Sequence, residues 1–387
     1  MGLIGEMLFY AGAIQGALLS VFLFSIKANR ISNRLLGLLT FLWALLLLQF
    51  PLQAHGLYID HPHLLKTISS LLFALFPLLY LHVKYLLADY KKFSTKDLWH
   101  FLPFIINILL FSDFYLMSGP EKLDLLRNRT PYYTAIQIIG DEAVALQGIT
   151  YSILILIILS KYRHEIKNFQ SNIDKAVLKS LTVGTVLIFI SWIIGSIAVN
   201  LELLDLFENI DFFVFVYLIL VLVIYFISYV AITSPEVFKL EHRTLSIDFF
   251  TALEIVGKDP HVNTEDEKLD DINANLKEEN NSLIQFMERE KPYLNSDLGL
   301  QELADKSGIL RYHLSAIIKQ EHKMNFYEFI NSYRVEEVKR LMVEPANRNL
   351  KLISLAYDAG FNSKASFNRI FKQITGMTPS EFFYSHE

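Results

Sequence analysis

The chain has 387 residues, 52% of them hydrophobic, with no cysteine and a formal net charge of −5. The absence of cysteine excludes disulfides, zinc–cysteine sites and thiol chemistry. The mean hydropathy of +0.33 is high for a soluble protein. Because nearly all of the excess lies before Pro235, the composition predicts a membrane region followed by a region outside the membrane.

Seven apolar segments in residues 1–235 have about the length that crosses a bilayer, the second being the shortest. A soluble helical core would not contain so many long apolar runs in series, and Met1–Glu6 lacks the basic start of a signal peptide. We therefore predict a seven-span transmembrane region over residues 1–235 that senses a signal. The segments run approximately over Leu3–Ile26, Leu35–Phe50, Leu64–Val83, Leu98–Met117, Tyr133–Ser160, Leu181–Val199 and Phe212–Thr233.

The Lys and Arg residues between these segments are distributed unequally. One alternating set of loops holds 12 of them and the other set holds four. Loops rich in Lys and Arg stay in the cytoplasm. We therefore expect a multi-pass protein of the cytoplasmic membrane, in contact with the lipid bilayer, with its N-terminus outside and residues 236–387 in the compartment that contains DNA.

Two groups of polar residues in the membrane region invite a binding role. Asp141 and Glu142 lie in the fifth segment near its outer boundary, where they are either interfacial or line an outward cavity for an unknown ligand. The first outer loop contains a histidine cluster, which solvated loop histidines explain better than a metal site or pH sensor. We predict no metal and no cofactor. The cluster consists of His55, His61 and His63, beside Asp60.

Residues 236–281 carry the negative charge of the chain, with five Lys or Arg against 12 Asp or Glu. Such a segment repels DNA, so we predict an acidic linker that is partly flexible and partly helical. Its helical part shows a broken heptad, interrupted at Glu279. That helix either packs on its own domain or pairs with a second copy in a homodimer. The apolar positions are Leu269, Ile272, Leu276, Leu283 and Phe286.

A helix–turn–helix pattern occurs twice in residues 282–387. Ala304–Gly308 precedes an apolar helix pattern that contains Leu314, and Ala356–Gly360 precedes another that contains Phe367. The small Ala lets two helices cross closely, and the Gly permits a turn conformation that a side chain would disfavour. Two such units, separated by a helical stretch, predict a domain whose second helices enter the major groove of double-stranded DNA.

The residues around the two units form a recognisable pattern, strongest from Ala356 to Phe382. It consists of Leu300, Leu303, Ala304, His313–Ser315, Phe329–Asn331, Arg334, Glu337, Leu341, Ile353, Ala356, Gly360–Ser363, Ser366, Phe367, Arg369, Phe371, Lys372 and Thr375–Phe382. In these residues the region 282–387 resembles the AraC/XylS family of bacterial transcription regulators. The resemblance covers roughly the last quarter of the chain and implies sequence-specific DNA binding by two helix-turn-helix units.

In the first unit, the predicted recognition helix runs over about 310–321. Its apolar face leaves Arg311 and Lys319 on the other side, together with Tyr312 and Ser315. The resemblance places Tyr312, Ser315 and Ala316 at groove-facing positions. Ala316 departs from the long polar residue that is common there, so it either touches a thymine methyl group or contributes little.

In the second unit, the predicted recognition helix runs over about 363–374. Lys364, Asn368, Arg369 and Lys372 lie on its outward face. Arg369 is able to pair bidentately with guanine and Asn368 with adenine. Ser363 and the backbone amides at the helix start suit a phosphate group.

No phosphate-binding Gly loop, kinase signature or Ser/His/Asp constellation occurs, so we expect a protein that is not an enzyme. The predicted fold is all-α: a seven-helix transmembrane bundle, then a helical DNA-binding domain with two helix-turn-helix units. The predicted function is a membrane-embedded one-component transcription regulator controlled by an unknown small-molecule or membrane signal. The alternative is a membrane receptor or transporter whose cytoplasmic helical domain acts through protein partners.

Overall fold

The computed structural model describes residues 3–87, 92–128, 130–171, 175–203, 213–233, 238 and 269–385. All regular elements in these residues are helices, apart from one isolated β-bridge between Gln170 and Gly299. The prediction of an all-α fold is confirmed. The chain divides into two compact units, residues 1–161 with 175–251, and residues 162–174 with 252–387.

The first unit is a bundle of apolar helices. A long helix continues from it into the second unit, where it ends at Glu165. The described residues of this unit form the helices α1 (Leu3–Ser25), α2 (Arg30–Ala54), α3 (Leu57–Asp60), α4 (Leu72–Leu87), α5 (Leu102–Leu110), α6 (Ser112–Leu116), α7 (Gly119–Arg127), α8 (Pro131–Glu165), α9 (Lys175–Leu203) and α10 (Phe213–Thr233).

Five of the seven predicted segments form helices that are long and apolar enough to cross a membrane. They are the helices over Gly5–Ser25, Arg30–Ala54, Pro131–Asn168, Leu178–Ile197 and Val214–Thr233. The third segment gives only the 16 residues of α4. Its predicted start is interrupted because Lys66 has a φ of 60°, a left-handed conformation that a right-handed helix cannot contain.

The fourth predicted segment is divided into several short helices rather than one continuous span. A 3-10 helix covers Thr95–Phe101, and α5 begins only at Leu102 because the ring of Pro103 obstructs the α-helical turn before it. Farther along, the carboxylate of Asp113 accepts hydrogen bonds from Phe114 N at 2.8 Å and from the hydroxyl of Tyr133 at 2.6 Å. Such local bonds compete with the helical ladder. Sequence periodicity alone does not reveal these interruptions.

The bundle is closely packed inside and apolar outside. Helices α1 and α2 approach so closely at Gly16 that an added Cβ would lie 3.2 Å from the carbonyl oxygen of Thr40. On the outer faces, large apolar side chains are exposed along the long helices, for example Leu18, Val21 and Ile232. Apolar surface of this extent is unusual for a protein in water.

In the second compact unit, the described residues include a further set of helices and the segment from Tyr162 to Ser171, which contains a 3-10 helix over Ile166–Asn168. The helices are α11 (Leu269–Glu290), α12 (Leu300–Ser307), α13 (Arg311–Gln320), α14 (Phe326–Val343), α15 (Leu352–Asp358), α16 (Lys364–Thr375) and α17 (Pro379–Tyr384). The pairs α12–α13 and α15–α16 coincide with the two predicted helix-turn-helix units.

Helix α14 joins the two units by contributing to two hydrophobic cores. Its residues Phe326, Phe329 and Ile330 pack with α11, α12 and α13. Val335 and Val338 pack with α15 and α16. Because one continuous helix is embedded in both cores, the two helix-turn-helix units cannot rotate independently without exposing apolar surface.

The helical part of the predicted linker packs on its own domain. Leu276, Leu283 and Met287 of α11 are buried in the first core, so these three side chains are not available for pairing with a second copy. The side chains of Leu269 and Ile272 lie outside the described residues. Glu279, which interrupts the heptad, faces the first helix-turn-helix unit, where its carboxylate lies 2.9 Å from Nδ1 of His313. Residues 239–268 of the predicted linker lie outside the described residues.

The turns of the two units make different demands on their glycines. Gly308 and Gly360 both have positive φ, at 72° and 92°. No atom lies within 4 Å of the Cβ that alanine would add at Gly308, whereas at Gly360 it would overlap the carbonyl oxygen of Tyr293. Gly360 therefore allows the second turn to approach the backbone that precedes the first unit.

We expect Gly308→Ala to destabilise the domain by about 1–2 kcal/mol, the usual strain of a left-handed alanine. Gly360→Ala should cost about 1–3 kcal/mol more, because the overlap forces the backbone apart. Hydrogen exchange of α12–α16 amides in the full chain measures both losses. Equal losses for the two variants would show that the approach at Gly360 is not tight.

Candidate DNA-binding surface and bundle cavity

Helix α13 buries one face and presents the other to solvent. Leu314, Ile317 and Ile318 are buried in the first core. Of the predicted DNA contacts, Arg311, Tyr312 and Lys319 are exposed, while Ser315 and Ala316 are half-buried. Ala316 also packs against the first core, which leaves its methyl group little surface for a base.

Helix α16 has the same division between an apolar and a polar face. Phe367, Ile370 and Phe371 are buried in the second core. Ser363 caps the helix, its hydroxyl oxygen accepting a hydrogen bond from Ser366 N at 3.2 Å. The four predicted contacts beyond the cap are all exposed, namely Lys364, Asn368, Arg369 and Lys372.

The two recognition helices are the basic part of an otherwise nearly neutral domain. Together α13 and α16 contain five Lys or Arg residues and no Asp or Glu. Residues 282–387 as a whole contain 14 basic and 13 acidic residues. The positive charge is thus concentrated on the two helices that the sequence predicts to enter the DNA groove.

A contact that sequence reasoning missed holds the side chain of Arg369. Its Nη2 donates a hydrogen bond to the hydroxyl of Tyr327, at 2.5 Å. Tyr327 belongs to α14 and is otherwise buried in the second core. A tyrosine on an apolar helix face gives no sequence signal of this role. The bond fixes one edge of the guanidinium, which limits the freedom that Arg369 would lose on binding.

Helix α17 packs against the core of the second helix-turn-helix unit. The hydroxyl of Thr378 accepts a hydrogen bond from Glu381 N at 3.3 Å, and the Glu381 carboxylate accepts one from Thr378 N at 2.7 Å. These bonds to the Thr378 backbone and side chain lower the pKa of Glu381. From α17, Phe382 packs edge-on against Phe371 of α16, so the closing helix supports the second recognition helix.

The guanidinium of Arg334 is buried within the second compact unit, the one that contains both helix-turn-helix units. Arg334, on α14, is 2% exposed. It donates hydrogen bonds to the carbonyl oxygens of Tyr293 at 2.8 Å, Asn295 at 2.7 Å and Ser296 at 3.3 Å. Burial lowers its pKa to about 10, which leaves it charged at neutral pH. It also bonds the carbonyl and the hydroxyl of Ser171, at 3.2 and 3.1 Å.

Ser171 ends a segment that binds along the first helix-turn-helix unit and that sequence reasoning did not connect with it. The Ser171 hydroxyl donates a hydrogen bond to the carbonyl of Leu298 at 2.6 Å. The carbonyl of Phe169 accepts one from Leu300 N at 2.9 Å. The ring of Phe169 lies under the guanidinium of Arg311, whose Cζ is 5.2 Å from the ring centroid.

The helical bundle, which is the first compact unit, contains a cavity of about 180 Å³. Asp141 and Glu142, predicted as ligand candidates, both line it. A second cavity of about 470 Å³ shares Asp141 with the first. The other groups that line the first cavity include the side chains of Trp43, Gln49, Ser191, Trp192 and Tyr217.

The predicted histidine cluster does not assemble a metal site. His55 lies 3.4 Å from the carboxylate of Glu6, and His63 lies 3.1 Å from the ammonium group of Lys122. Across the part of the chain that the structure describes, no group of three or more His, Asp or Glu side chains is placed to hold a metal ion.

Comparison with known proteins also identifies helix-turn-helix structure in the second compact unit. A family model described as "Helix-turn-helix domain" matches residues 303–384. The chain is 28% identical over 102 residues to the "Probable transcription factor PqrA" of Proteus vulgaris, covering 26% of this chain and 80% of that protein. No solved structure matches the chain.

A second relative is an "Uncharacterized HTH-type transcriptional regulator" of Staphylococcus aureus, 32% identical over 90 residues. This match covers 23% of the chain but only 12% of the relative's length. Both similarities therefore concern about a quarter of this chain. The family match over residues 303–384 and the paired units α12–α13 and α15–α16 show that the C-terminal region of this chain is an AraC-type helix-turn-helix domain.

Proposed function

We propose that the chain is a membrane-embedded, one-component transcription regulator that binds specific DNA through two recognition helices, under the control of a signal at the membrane. The observation that carries the proposal is the pair of basic helices α13 and α16, held by one shared helix. The domain that contains these recognition helices belongs to the same chain as five long apolar helices. Its chemistry is recognition, and catalysis forms no part of the proposal.

Helix α14 sets the spacing of the two recognition helices. Its 18 residues correspond to roughly 27 Å at 1.5 Å per residue. Successive major grooves on one face of DNA are about 34 Å apart. In the sequence, α13 precedes α14 and α16 follows it, so one recognition helix lies on each side of the shared helix. The shared cores keep α14 rigid, which supports simultaneous binding to two grooves on one face of the duplex.

The polar faces of the recognition helices supply two kinds of contact. In α16, Arg369 is proposed to read a guanine and Asn368 an adenine, while Lys364, Lys372 and the cap at Ser363 hold phosphates. In α13, Arg311, Tyr312, Ser315 and Lys319 form the corresponding set. The half-buried Ala316 contributes little to the proposed interface.

The bundle is proposed to lie in the inner membrane, with the DNA-binding domain in the cytoplasm. The exposed apolar side chains of the long helices suit contact with lipid tails. Eight Lys or Arg residues lie at the junctions α1–α2 and α8–α9, whereas none lies between Asn200 and Asp211, and this difference supports the orientation. The segment Tyr162–Ser171 also supports this orientation. It follows the fifth predicted span, in a loop that the sequence predicts to be cytoplasmic, and it packs within the DNA-binding unit. A homodimer through α11 is not part of the proposal, since Leu276 and Leu283 are buried in the core of their own domain.

The cavity in the bundle is the proposed site of the signal. The carboxylates of Asp141 and Glu142 in the lining favour a ligand with positive charge, and the indoles of Trp43 and Trp192 suit such a charge as cation–π partners. A cavity of about 180 Å³ holds a ligand a little larger than benzene. The ligand class is therefore a small ammonium compound with an apolar body.

For DNA binding, we expect the full chain in lipid nanodiscs to select a specific duplex from a random library. Arg369→Ala should lower the affinity by about 1–3 kcal/mol and relax the preference at one base pair. Lys372→Ala should weaken binding to all sequences alike and reduce the salt dependence by about one ion. Titrations of labelled duplex at several salt concentrations measure both effects.

Two control variants accompany this experiment. Tyr327→Phe removes only the hydrogen bond to Arg369 and should retain the base preference. Arg289→Ala removes an exposed charge on α11, outside both helix-turn-helix units, and should leave the affinity for DNA unchanged. A wild-type chain that binds selected and random DNA equally at moderate salt would refute the regulator. Substrate uptake by vesicles that contain the chain would then favour a transporter.

For the signal site, the probe is phenyltrimethylammonium, with benzenesulfonate as an anion of similar size. We expect saturable binding of the cation to the full chain in nanodiscs and at least tenfold weaker binding to Asp141→Asn, because the cavity loses half of its formal charge. Asp124→Asn, the same change at an exposed position, should bind as wild type. Equal binding by wild type and Asp141→Asn would exclude the cavity as a cation site.

A further inference from the structure

We propose that the segment Ile166–Ser171 is an internal docking partner of the DNA-binding domain, which orients Arg311 for DNA and makes DNA affinity depend on the segment being docked. The inference rests on the proposed function, because it concerns how tightly the domain binds DNA. It assigns a regulatory surface to the first helix-turn-helix unit and names its occupant as a segment of the same chain.

The docked end of the segment completes the hydrogen bonding of a buried charge. Ser171 is 1% exposed and supplies two acceptors to Arg334, its carbonyl and its hydroxyl oxygen. Its carbonyl also accepts a hydrogen bond from Asn331 Nδ2 at 3.2 Å. A buried guanidinium is costly unless its donors are paired. Undocking would therefore leave Arg334 and Asn331 with donors that must find water or rearrange.

The backbone of the segment is fixed beside the first unit by hydrogen bonds in both directions. Ser171 N donates to the carbonyl of Leu298 at 3.2 Å, and Leu300 N donates to the carbonyl of Phe169 at 2.9 Å. Between them, Gln170 forms an isolated antiparallel bridge with Gly299. Leu300 is the first residue of α12. The segment thus occupies a short strand-like site at the entry to the first helix-turn-helix unit.

The middle of the segment reaches a predicted DNA contact. Phe169 packs against the first core, and its ring lies below the guanidinium of Arg311. Stacking uses the flat face of a guanidinium, whereas its N–H donors point outward in the plane. Arg311 is thereby restrained without losing the edge that would bind a base or phosphate. A restrained arginine loses less conformational entropy when it binds DNA.

The same segment continues directly from a helix of the bundle. Helix α8 runs unbroken from Pro131 to Glu165, and the 3-10 turn Ile166–Asn168 follows without a gap. Only three residues separate Glu165 from Phe169, and Tyr162 and Ile166 are themselves buried. Asp141 and Glu142, which line the bundle cavity, lie on this helix. The docked segment is therefore the direct continuation of the helix that carries Asp141 and Glu142.

The test measures binding of the full chain in nanodiscs to a duplex selected by the wild type. Phe169→Leu keeps an apolar side chain but removes the aromatic face, so affinity should fall about two- to fivefold. Phe169→Trp restores a face and should bind at least as tightly as wild type. Arg163→Ala, which changes an exposed residue near the end of α8, just before the segment, should have no effect.

A double-mutant cycle separates orientation of Arg311 from general destabilisation. In the Arg311→Ala background, Phe169→Leu should cause no further loss of affinity. The inference is overturned if Phe169→Leu binds as wild type, or if its loss is the same with and without Arg311. A wild-type chain that selects no duplex would instead refute the proposed function itself, so the two failures are distinguishable.

Discussion

The buried guanidinium of Arg334 is the interaction on which the DNA-binding unit depends. It extends from α14 to the carbonyls of Tyr293 and Asn295, which lie before the first helix-turn-helix unit, and to Ser171. An added Cβ at Gly360 would lie only 3.0 Å from its Nε, so the turn of the second unit packs on the same network. A charge taken out of water needs all of these partners at once. The network therefore links the backbone before the first helix-turn-helix unit, helix α14, the turn of the second unit and a distant segment.

This arrangement explains how a domain with almost balanced charge presents a basic surface. The acidic residues near its interior are used in ion pairs: Glu337, 8% exposed, receives Lys291 at 3.0 Å and Arg340 at 2.9 Å. Hydrogen bonds from Arg340 and Lys291 lower the pKa of Glu337, so the pairs persist at neutral pH. The five basic residues of α13 and α16 have no acidic neighbour on their own helices. Positive charge is left where two helices meet solvent together, as groove binding requires.

Much of this architecture was predictable from the sequence, because periodicity and turn residues report local structure. The helices around Leu314 and Phe367 and the turns at Gly308 and Gly360 follow from such signals, and they match the structure closely. Interactions between distant residues left no such pattern. A serine in a loop does not reveal that it will bind an arginine 163 positions later. The break at Glu279 becomes intelligible only when His313 is seen opposite it, and the divided fourth segment only when Asp113 is seen to accept from Phe114 and Tyr133.

The most direct measurement is the map of DNA crosslinked in cells to the full chain recovered from the membrane fraction. The proposed regulator predicts a small set of occupied sites that share a motif of two half-sites about 10–10.5 base pairs apart, all lost in the Arg369→Ala, Lys372→Ala double variant. Recovery of the same DNA with the double variant, or of none above background with the wild type, would contradict a membrane-embedded protein that reads DNA from the cytoplasmic side.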